Sequence, residues 1–425
     1  MTQHEPGNDY PLSEVPQHAR KGLASMAMVL LGFTFFTATM FAGGKLGVAF
    51  DFTTLLMVIV LGNLLLGIYA ASLGYIAFKS GLNTVLMGRF CFGERGSKLS
   101  DLILGLTQVG WYAWGTATAA VVLGKYFQLD SGAVLGLMLL FGMAFCATAY
   151  IGYRGLEILS WIAVPAMGLL LVLSMTVATT QVGGLDGLLA LTPSASLDLS
   201  TALTLVFGTF VSGATQATNW TRFARDGKTA VLSSLVGFFI GNGLMIVVGA
   251  YGAMVYQQPD IVEVMVLQGL SVAAVVMLFL NLWTTQDNTI YNFAAAGCNL
   301  VRQDRRGTIT LVGAGIGTLL AIAGMSDMLI PFLILLGSVI PPIGGVIMAD
   351  FFHGHKGRYP QLSTTTLPRF NGVGLGAYAI GAVCAYVSPW VAPLVGIGVA
   401  ALSYVVLFEI QRVRVARQQL GSVSA

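Results

Sequence analysis

The chain has 425 residues, of which 56% are hydrophobic and only 9% are charged, and its mean hydropathy is +0.80. Soluble proteins carry about 25% charged residues, so the composition excludes an ordinary soluble protein and predicts an all-α integral membrane protein. The formal net charge of +3 is too small to indicate nucleic acid as a partner. The four cysteines are scattered along the chain without metal-ligand spacing, and we expect them to be reduced and structural.

Charged and Gly/Pro-rich turns divide the chain into apolar stretches, each near the roughly 20 residues that a membrane-spanning helix needs. Twelve such segments are predicted, at residues 23–43, 53–78, 101–124, 132–151, 156–180, 199–222, 230–255, 264–297, 308–324, 327–349, 370–388 and 391–410. Residues 1–19 are polar, and the first apolar run is long enough to remain as a span rather than act as a cleaved signal peptide.

Lysine and arginine give the orientation. When alternate loops are assigned to opposite sides, all of the 21 basic residues except Lys45 and Lys125 lie on the side of the N-terminus. Cytoplasmic loops are enriched in Lys and Arg, so both termini are predicted to be cytoplasmic. The predicted regions are a tail at 1–22, helix groups at 23–180, 199–352 and 370–411, and a second tail at 412–425.

Two segments carry the signature of an interrupted helix. In the sixth segment, residues 208–213 (GTFVSG) place two glycines and two hydroxyls at membrane depth. In the first segment, residues 34–38 (TFFTA) match residues 209–213 by residue type, and Gly32 comes shortly before them, as Gly208 comes before 209–213. Interrupted helices at corresponding positions of two halves indicate an inverted-repeat transporter and its binding site. The alternative is glycine used only for close helix packing.

The eighth segment offers ligands for a cation. Asn281, Thr284 and Thr285 are spaced i, i+3 and i+4, so they share one helix face. Hard cations such as sodium take oxygen ligands, and the unwound stretch between Gly32 and Phe35 would supply backbone carbonyls to the same ion. The alternative is that the hydroxyls bond back to their own helix.

A carboxylate inside a span is a functional candidate by default, and Asp287 is the one that lies well inside a predicted segment and not near its end. A proton carrier, a partner of the cation site and part of an inner gate are all open roles for it. The remaining polar and aromatic residues suit a flat, uncharged ring, because Trp111 and Phe210 offer faces for stacking and no Lys or Arg lies deep in a segment. The candidate substrate-binding residues are Gln108, Trp111, Thr209, Phe210, Ser212 and Gln286.

Five stretches together resemble one known family. Residues 107–111 (TQVGW), 208–212 (GTFVS), 220–223 (WTRF), 281–288 (NLWTTQDN) and 341–345 (PPIGG) are similar to the nucleobase–cation symporters, specifically the bacterial cytosine permease branch. The resemblance extends over nearly the whole chain from residue 16 onward.

That resemblance implies twelve helices, the first ten as two inverted five-helix repeats with helices 1 and 6 broken and the last two peripheral. It implies sodium-coupled import of a nucleobase, most of all cytosine, by alternating access, with no cofactor besides the ion. The expected setting is the lipid bilayer of a bacterial cytoplasmic (inner) membrane, with the chain as a monomer.

Residue by residue, the resemblance implies stacking by Trp111 and Phe210 and edge contacts by Gln108 and Ser212. Sodium would take carbonyls of Gly32 and Phe35, joined by Asn281, Thr284 and Thr285. One departure is Gln286, where the family pattern has Asn. Its extra methylene would move the amide, so the resemblance supports a nucleobase more strongly than it supports cytosine itself.

Three other readings remain open at this point. One is a proton-coupled importer of another planar heterocycle, such as uracil, a purine, hydantoin or allantoin. The others are a channel and a membrane enzyme. An enzyme would need His, Cys or carboxylate clusters facing a cavity, and all four histidines lie outside the predicted segments.

Overall fold

The computed structural model describes residues 9–258, 260–325 and 329–423. Regular structure within these ranges is helical, apart from one isolated parallel bridge between Lys21 and Ala224. After a short 3-10 helix at Gln17–Ala19, the first half of the chain forms α1 Leu23–Thr34, α2 Thr37–Gly47, α3 Phe52–Ser80, α4 Thr84–Phe92, α5 Ser97–Phe127, α6 Ser131–Ala144, α7 Ala147–Ile151, α8 Tyr153–Gln181 and α9 Leu185–Ala190.

The second half begins with a helix that is interrupted twice and ends with two long helices. Its elements are α10 Leu199–Gly208, α11 Val211–Thr215, α12 Thr218–Thr221, α13 Gly227–Leu235, α14 Asn242–Tyr256, α15 Ile261–Leu267, α16 Ser271–Val301, α17 Arg306–Ile322, α18 Leu329–Val339, α19 Pro341–Ala349, α20 Gly372–Val387 and α21 Ala392–Val423. A π-helical turn at Val236–Gly241 joins α13 to α14, and another at Asp350–Gly354 follows α19.

The first apolar segment is broken at Phe35 and Phe36, at the end of the stretch 32–35 that the sequence predicts to be unwound, whereas Gly32, Phe33 and Thr34 remain helical. Phe35 (ψ 87°) and Phe36 (φ −136°, ψ 130°) leave the helical region, and the axes of α1 and α2 differ by 62° across them. The break leaves the last carbonyls of α1 without the backbone donors that a continuous helix provides.

The sixth segment is also interrupted, but more gently. Thr209 stays helical (φ −53°, ψ −38°), whereas Phe210 (φ −131°, ψ 15°) turns the chain before α11 begins. Both interruptions lie inside the bundle, where Phe35 and Phe210 are 4% exposed. Irregular backbone at membrane depth is tolerated only where protein or a cavity surrounds it.

Glycine lets the two halves approach closely between α2 and α14. A Cβ on Gly43 or Gly47 would overlap backbone atoms of Ile246 or Ala250, and one on Gly249 would overlap the backbone of Met40. Small residues at such a crossing bring helix backbones into contact in a membrane. This contact fixes the position of α2, and with it the break in the first segment.

Length and composition alone identify six helical stretches in the described residues that could cross a membrane, or seven if α1 and α2 count as one bent span. They are Phe52–Ser80, Ser131–Ile151, Tyr153–Gln181, Gly227–Tyr256, Leu335–Gly354 and Ala392–Gln419. The predicted total of twelve spans, their grouping into repeats and the region boundaries stay predictions.

The C-terminal helix is longer than the sequence indicates. The predicted segment ends at 410, but α21 continues through Arg412, Arg414 and Arg417 to Val423. Glu409 and Arg412 pair at i, i+3, and no proline interrupts this stretch, so nothing local ends the helix earlier. The region assigned to a tail at 412–425 is therefore largely helical backbone.

Candidate functional site

A narrow cavity of about 10 Å³, room for about one water molecule, lies where the two interrupted segments meet α5 and α16. Four of its nine lining residues are aromatic, four carry hydroxyls and one is an amide. The lining residues are Phe33, Phe36, Gln108, Trp111, Thr209, Phe210, Ser212, Thr285 and Thr289. Every predicted substrate-binding residue except Gln286 is among them.

Three aromatic rings form one continuous wall of this cavity. The ring of Phe36 lies 5.6 Å from Trp111 and 6.2 Å from Phe210, edge to face in both pairs. Phe33 makes a further edge-to-face contact with Phe210 at 5.0 Å. Trp111 thus faces the protein interior rather than lipid, and its indole and the Phe210 ring belong to one wall.

Phe33, Phe36 and Thr289 line the cavity but were not identified from the sequence. The two phenylalanines flank the first break, where extended backbone points neighbouring side chains in opposite directions. Thr289 is four residues after Thr285 and therefore shares its helix face. The spacing to residues already selected was the available signal for all three.

Some polar side chains in the cavity wall have hydrogen-bond partners in the protein and others have none. Neither amide atom of Gln108 has a hydrogen-bond partner among the described residues, although the side chain is buried. The Thr209 hydroxyl, in contrast, donates to the Val206 carbonyl at 2.7 Å and accepts from Asn242 Nδ2 at 2.9 Å. Buried polar groups are normally bonded, so Gln108 is the amide most available to a ligand.

Gln286 does not reach the cavity wall in this conformation. Its side chain lies against α5, where a Cβ on Gly115 would overlap its amide nitrogen. Gly115 is four residues after Trp111, on the same face of α5. Both Gln286 amide atoms lack a partner within the described ranges, so its predicted contact with substrate stays a prediction.

Oxygen atoms gather where the first break meets α16. The Thr285 hydroxyl lies 3.1 Å from the Phe35 carbonyl, 3.4 Å from the Phe33 carbonyl and 3.1 Å from the Asn281 carbonyl. A hydroxyl has one proton to donate, so at most one of these three acceptors is satisfied by it at a time. The other two carbonyl oxygens therefore keep lone pairs that this hydroxyl does not satisfy.

The side chain of Asn281 explains why the Phe33 carbonyl is released. In a continuous helix, the N–H of Thr37 would bond to Phe33. Here it donates to Asn281 Oδ1 at 2.9 Å, and the Thr37 hydroxyl donates to the same oxygen at 2.7 Å. The Asn281 amide therefore holds the break open, and its backbone carbonyl is the atom that faces the oxygen cluster.

Thr284 and Gly32 complete the predicted cation residues. The Thr284 hydroxyl is 2.8 Å from the Leu280 carbonyl and 3.2 Å from that of Asn281, so it bonds back to its own helix. A Cβ on Gly32 would lie 3.5 Å from Thr284 Cβ, which places the two residues side by side. Neutral carbonyl and hydroxyl oxygens are a donor set that fits a hard alkali cation.

Asp287 points away from this oxygen cluster. Its carboxylate accepts a hydrogen bond from the Thr148 hydroxyl of α7 at 2.8 Å and another from Asn288 Nδ2 at 3.0 Å. The side chain is fully buried, and no Lys, Arg or His in the described ranges pairs with it. Asp287 is therefore not a ligand of the same ion in this conformation.

A second polar group, which we call the N-terminal cluster, consists of Asp9, Tyr10, Tyr153, Arg222 and Arg306. The fully buried Arg222 guanidinium donates to the carbonyls of Asp9 (2.6 Å) and Tyr10 (2.8 Å). The Asp9 carboxylate accepts from the Tyr153 N–H at 3.1 Å and lies 3.5 Å from Arg306 Nε.

Burial raises the pKa of the Asp9 carboxyl, and the nearby Arg306 guanidinium opposes that rise. Through this cluster the N-terminal segment connects the end of the sixth segment to α8 and α17. The cluster therefore holds these three elements together.

Comparison with known proteins adds independent information. The model of a family described as permeases for cytosine/purines, uracil, thiamine and allantoin matches residues 14–409. Cytosine permease of Escherichia coli (strain K12) is 40% identical over 400 residues, which cover 94% of each chain.

Solved structures show the same fold. Mhp1, described as a nucleobase-cation-symport-1 family transporter in a closed conformation with bromovinylhydantoin bound, superimposes with a TM-score of 0.84 at 19% identity, covering 96% of this chain and 95% of that one. A Na⁺-coupled sialic acid symporter in a substrate-bound outward-open state gives 0.68 at 12% identity, covering 95% and 91%.

The matched region includes both interrupted segments, the aromatic cavity and the oxygen cluster. A match over residues 14–409 and 40% identity to a curated relative leave one assignment for the chain. It belongs to the family of permeases for cytosine, purines, uracil, thiamine and allantoin, and it is a multi-pass membrane transporter and not an enzyme.

Proposed function

We propose that this protein is a symporter that imports a nucleobase, cytosine before others, together with sodium and by alternating access. The cavity, narrow in this conformation, would widen to hold the base between Trp111 and Phe210, with Gln108 and Ser212 at its edges. The ion would bind at the oxygen cluster, to the Phe35 and Asn281 carbonyls and the Thr285 hydroxyl, with Gly32 and Thr284 beside it as further proposed ligands, and no other cofactor is required.

The observation that carries this proposal is that the two sites share residues. Thr285 lines the aromatic cavity and its hydroxyl also lies among the carbonyl oxygens of the first break. Phe33 does the same, with its ring in the cavity wall and its carbonyl 3.4 Å from Thr285. An ion that orders these residues would change the affinity for the ring, and by linkage the ring would change the affinity for the ion by the same factor.

We infer the membrane arrangement from the positions of the breaks. One lies in the first segment of region 23–180 and the other in the first segment of region 199–352, as inverted five-helix repeats require. Beyond the six or seven spans found from length and composition, α5 and α16 have 31 residues each, or about 45 Å at 1.5 Å per residue. We infer that α5 and α16 also span the membrane, and that the buried polar residues of the site lower the mean hydropathy of these two helices. The proposal includes twelve spans with both termini in the cytoplasm, as a monomer in the bacterial inner membrane.

The choice of cytosine rests on the relative that is 40% identical and is named a cytosine permease, and on the chemistry of the wall. The aromatic rings suit any flat heterocycle, whereas the unpartnered amide of Gln108 provides one donor and one acceptor edge. Competition of labelled cytosine uptake by uracil, adenine, hydantoin and allantoin would establish the order of preference.

Uptake of labelled cytosine into proteoliposomes tests the coupling. With an inward sodium gradient we expect accumulation above equilibrium, and with choline in place of sodium we expect none. A membrane potential of ~100 mV adds about 2.3 kcal/mol for each positive charge that moves, which corresponds to roughly fifty-fold accumulation. Equilibration without accumulation would indicate a channel.

A proton-coupled importer is the second candidate, because Asp287 is a buried carboxylate without a basic partner in the described residues. A charge in that position is costly, and protonation would remove the cost. Asp287→Asn separates the two candidates. Sodium-driven accumulation should persist in the variant if sodium is the coupling ion, and proton-driven accumulation should be lost if Asp287 carries the proton.

A further inference from the structure

Ser160 of α8 has a buried hydroxyl that the site described above does not use. The side chain is fully buried, and its Oγ makes no hydrogen bond to any residue that the structure describes. A buried hydroxyl without a protein partner is unfavourable, so one in a native protein needs an explanation, such as a bound ion or water.

The position of Ser160 next to Gly32 supplies that explanation. A Cβ on Gly32 would lie 2.6 Å from Ser160 Oγ and 3.5 Å from Thr284 Cβ. The hydroxyl therefore occupies the space that the missing side chain leaves, beside the last turn of α1 and opposite Thr284.

In having no partner, Ser160 differs from neighbouring helical hydroxyls, although Thr116 of α5 is likewise buried without a partner among the described residues. Serine and threonine inside helices commonly bond back to the carbonyl four residues earlier. Thr176 on the same α8 does so at 2.7 Å, as does Thr284 of α16 at 2.8 Å. Ser160 makes no such bond to the Leu156 carbonyl, so its oxygen is available to bind a ligand.

We propose that Ser160 supplies a further oxygen ligand to the coupling sodium, so that α8 joins the first break and α16 around the ion. This inference rests on the proposed sodium-coupled function. Hydroxyl oxygen is a hard ligand of the kind that the rest of the cluster provides, and adding it raises the number of helices that the ion holds together from two to three.

This ligand would connect the ion to the N-terminal cluster. Tyr153, the first residue of α8, donates its N–H to Asp9, and Ser160 is seven residues further along the same helix, about 10 Å at 1.5 Å per residue. A sodium ion bound to Ser160 therefore favours the position of α8 in which that cluster is closed, and loss of the ion removes this restraint.

The test measures sodium binding without transport. The full-length protein, purified in detergent without nucleobase, is heated at increasing NaCl with choline chloride keeping the ionic strength constant. Ser160→Ala should raise the sodium concentration for half-maximal thermal stabilisation about 2- to 12-fold, the range for loss of one polar contact. In choline alone its Tm should equal or exceed that of the wild type, because an unpartnered hydroxyl has been removed.

Ser174→Ala is the matched control. Ser174 is a buried serine of the same helix, but its hydroxyl bonds to Gln268 at 2.8 Å. This variant should lower the Tm in choline and leave the sodium concentration dependence unchanged. Ser160→Cys gives a second measurement, because it keeps nearly the same volume but replaces a hard oxygen with a soft sulfur, and it should weaken sodium binding as Ser160→Ala does.

Three outcomes decide the matter. The proposal is supported if both Ser160 variants need more sodium for half-maximal thermal stabilisation while their Tm in choline is no lower than that of the wild type. An unchanged dependence on sodium in these variants overturns it and leaves the proposed function standing. A wild type that sodium stabilises no more than choline overturns sodium coupling itself, and the role of Ser160 with it.

Discussion

The two interrupted segments look alike in sequence but offer different chemistry. At the first, Phe35 and Phe36 are extended and the axis bends by 62°, so backbone carbonyls become available. At the second, only Phe210 leaves the helical region, and its carbonyl still accepts the Ala214 N–H at 2.8 Å. The first break thus presents main-chain oxygens, and the second presents side chains to the cavity.

The neighbours of each break account for this difference. At the first, the Asn281 side chain takes the N–H of Thr37 and keeps the helix from closing. At the second, Asn242 bonds to the hydroxyl of Thr209 and not to its backbone. Similar residues therefore become an ion site or a ring site according to which atom the adjacent amide contacts.

The largest expected effect is on the ring site. Trp111→Ala should raise the Kd for cytosine about 5- to 150-fold, since stacking contributes about 1–3 kcal/mol per base. Sodium-dependent thermal stabilisation without nucleobase should stay as in the wild type. Binding is measured by isothermal titration calorimetry in saturating sodium, with Trp114→Phe as the control, because Trp114 contacts Phe36 outside the cavity lining. An unchanged Kd for Trp111→Ala would remove the indole from the site.

The next largest effect is expected at the ion site. Asn281→Ala removes the acceptor of two buried hydrogen bonds and lets the Thr37 N–H return to Phe33. We expect sodium affinity to fall on the order of tenfold, from about 1 kcal/mol per lost contact. Asn281→Asp keeps the acceptor and should retain binding. Equal sodium dependence in all three proteins would show that the break does not depend on this side chain.

A smaller effect is expected where α5 meets α16. Gly115→Ala would push the Gln286 amide out of its present position, and a strained rotamer costs about 0.5–1.5 kcal/mol. Cytosine affinity should change roughly fivefold, and the ratio of cytosine to uracil inhibition should change with it. Gly136→Ala on α6 is the control, since a Cβ there meets no described atom within 4 Å. No change in either quantity would show that Gln286 does not contribute to selectivity.

The smallest effect is expected at the second break. Thr209→Ala removes a hydroxyl, but Asn242 keeps its bond to Asn63 at 2.8 Å. A single neutral hydrogen bond contributes as little as about 0.5 kcal/mol, so cytosine affinity should fall about twofold and sodium affinity should not change. A large loss of sodium affinity would mean that the two breaks share the ion, contrary to the division described above.

Sequence reasoning located both breaks and selected five residues that line one cavity, although they lie on two separate segments. It succeeded because interrupted helices and intramembrane polar residues are rare without a function. It did not identify Ser160 or the orientation of Gln286. Helical spacing tells which residues share a face of a helix. The direction in which that face points depends on packing against α1 and α5, and helical spacing gives no information about that packing.

The role of Asn281 shows a second limit. Its residue type and position predicted a cation ligand, and its carbonyl does lie in the oxygen cluster. The amide, however, acts on the Thr37 N–H 244 residues earlier in the chain. Such an interaction between distant segments is decided by tertiary geometry, and no local pattern in either segment encodes it.

The N-terminal cluster has a practical consequence for protein engineering. The guanidinium of Arg222 is buried, and carbonyls of Asp9 and Tyr10 are acceptors for its protons. Truncating the chain beyond residue 10 would strand that cation in the interior, so affinity tags and fluorescent fusions belong after α21, whose last turns are exposed to solvent as far as Gln419.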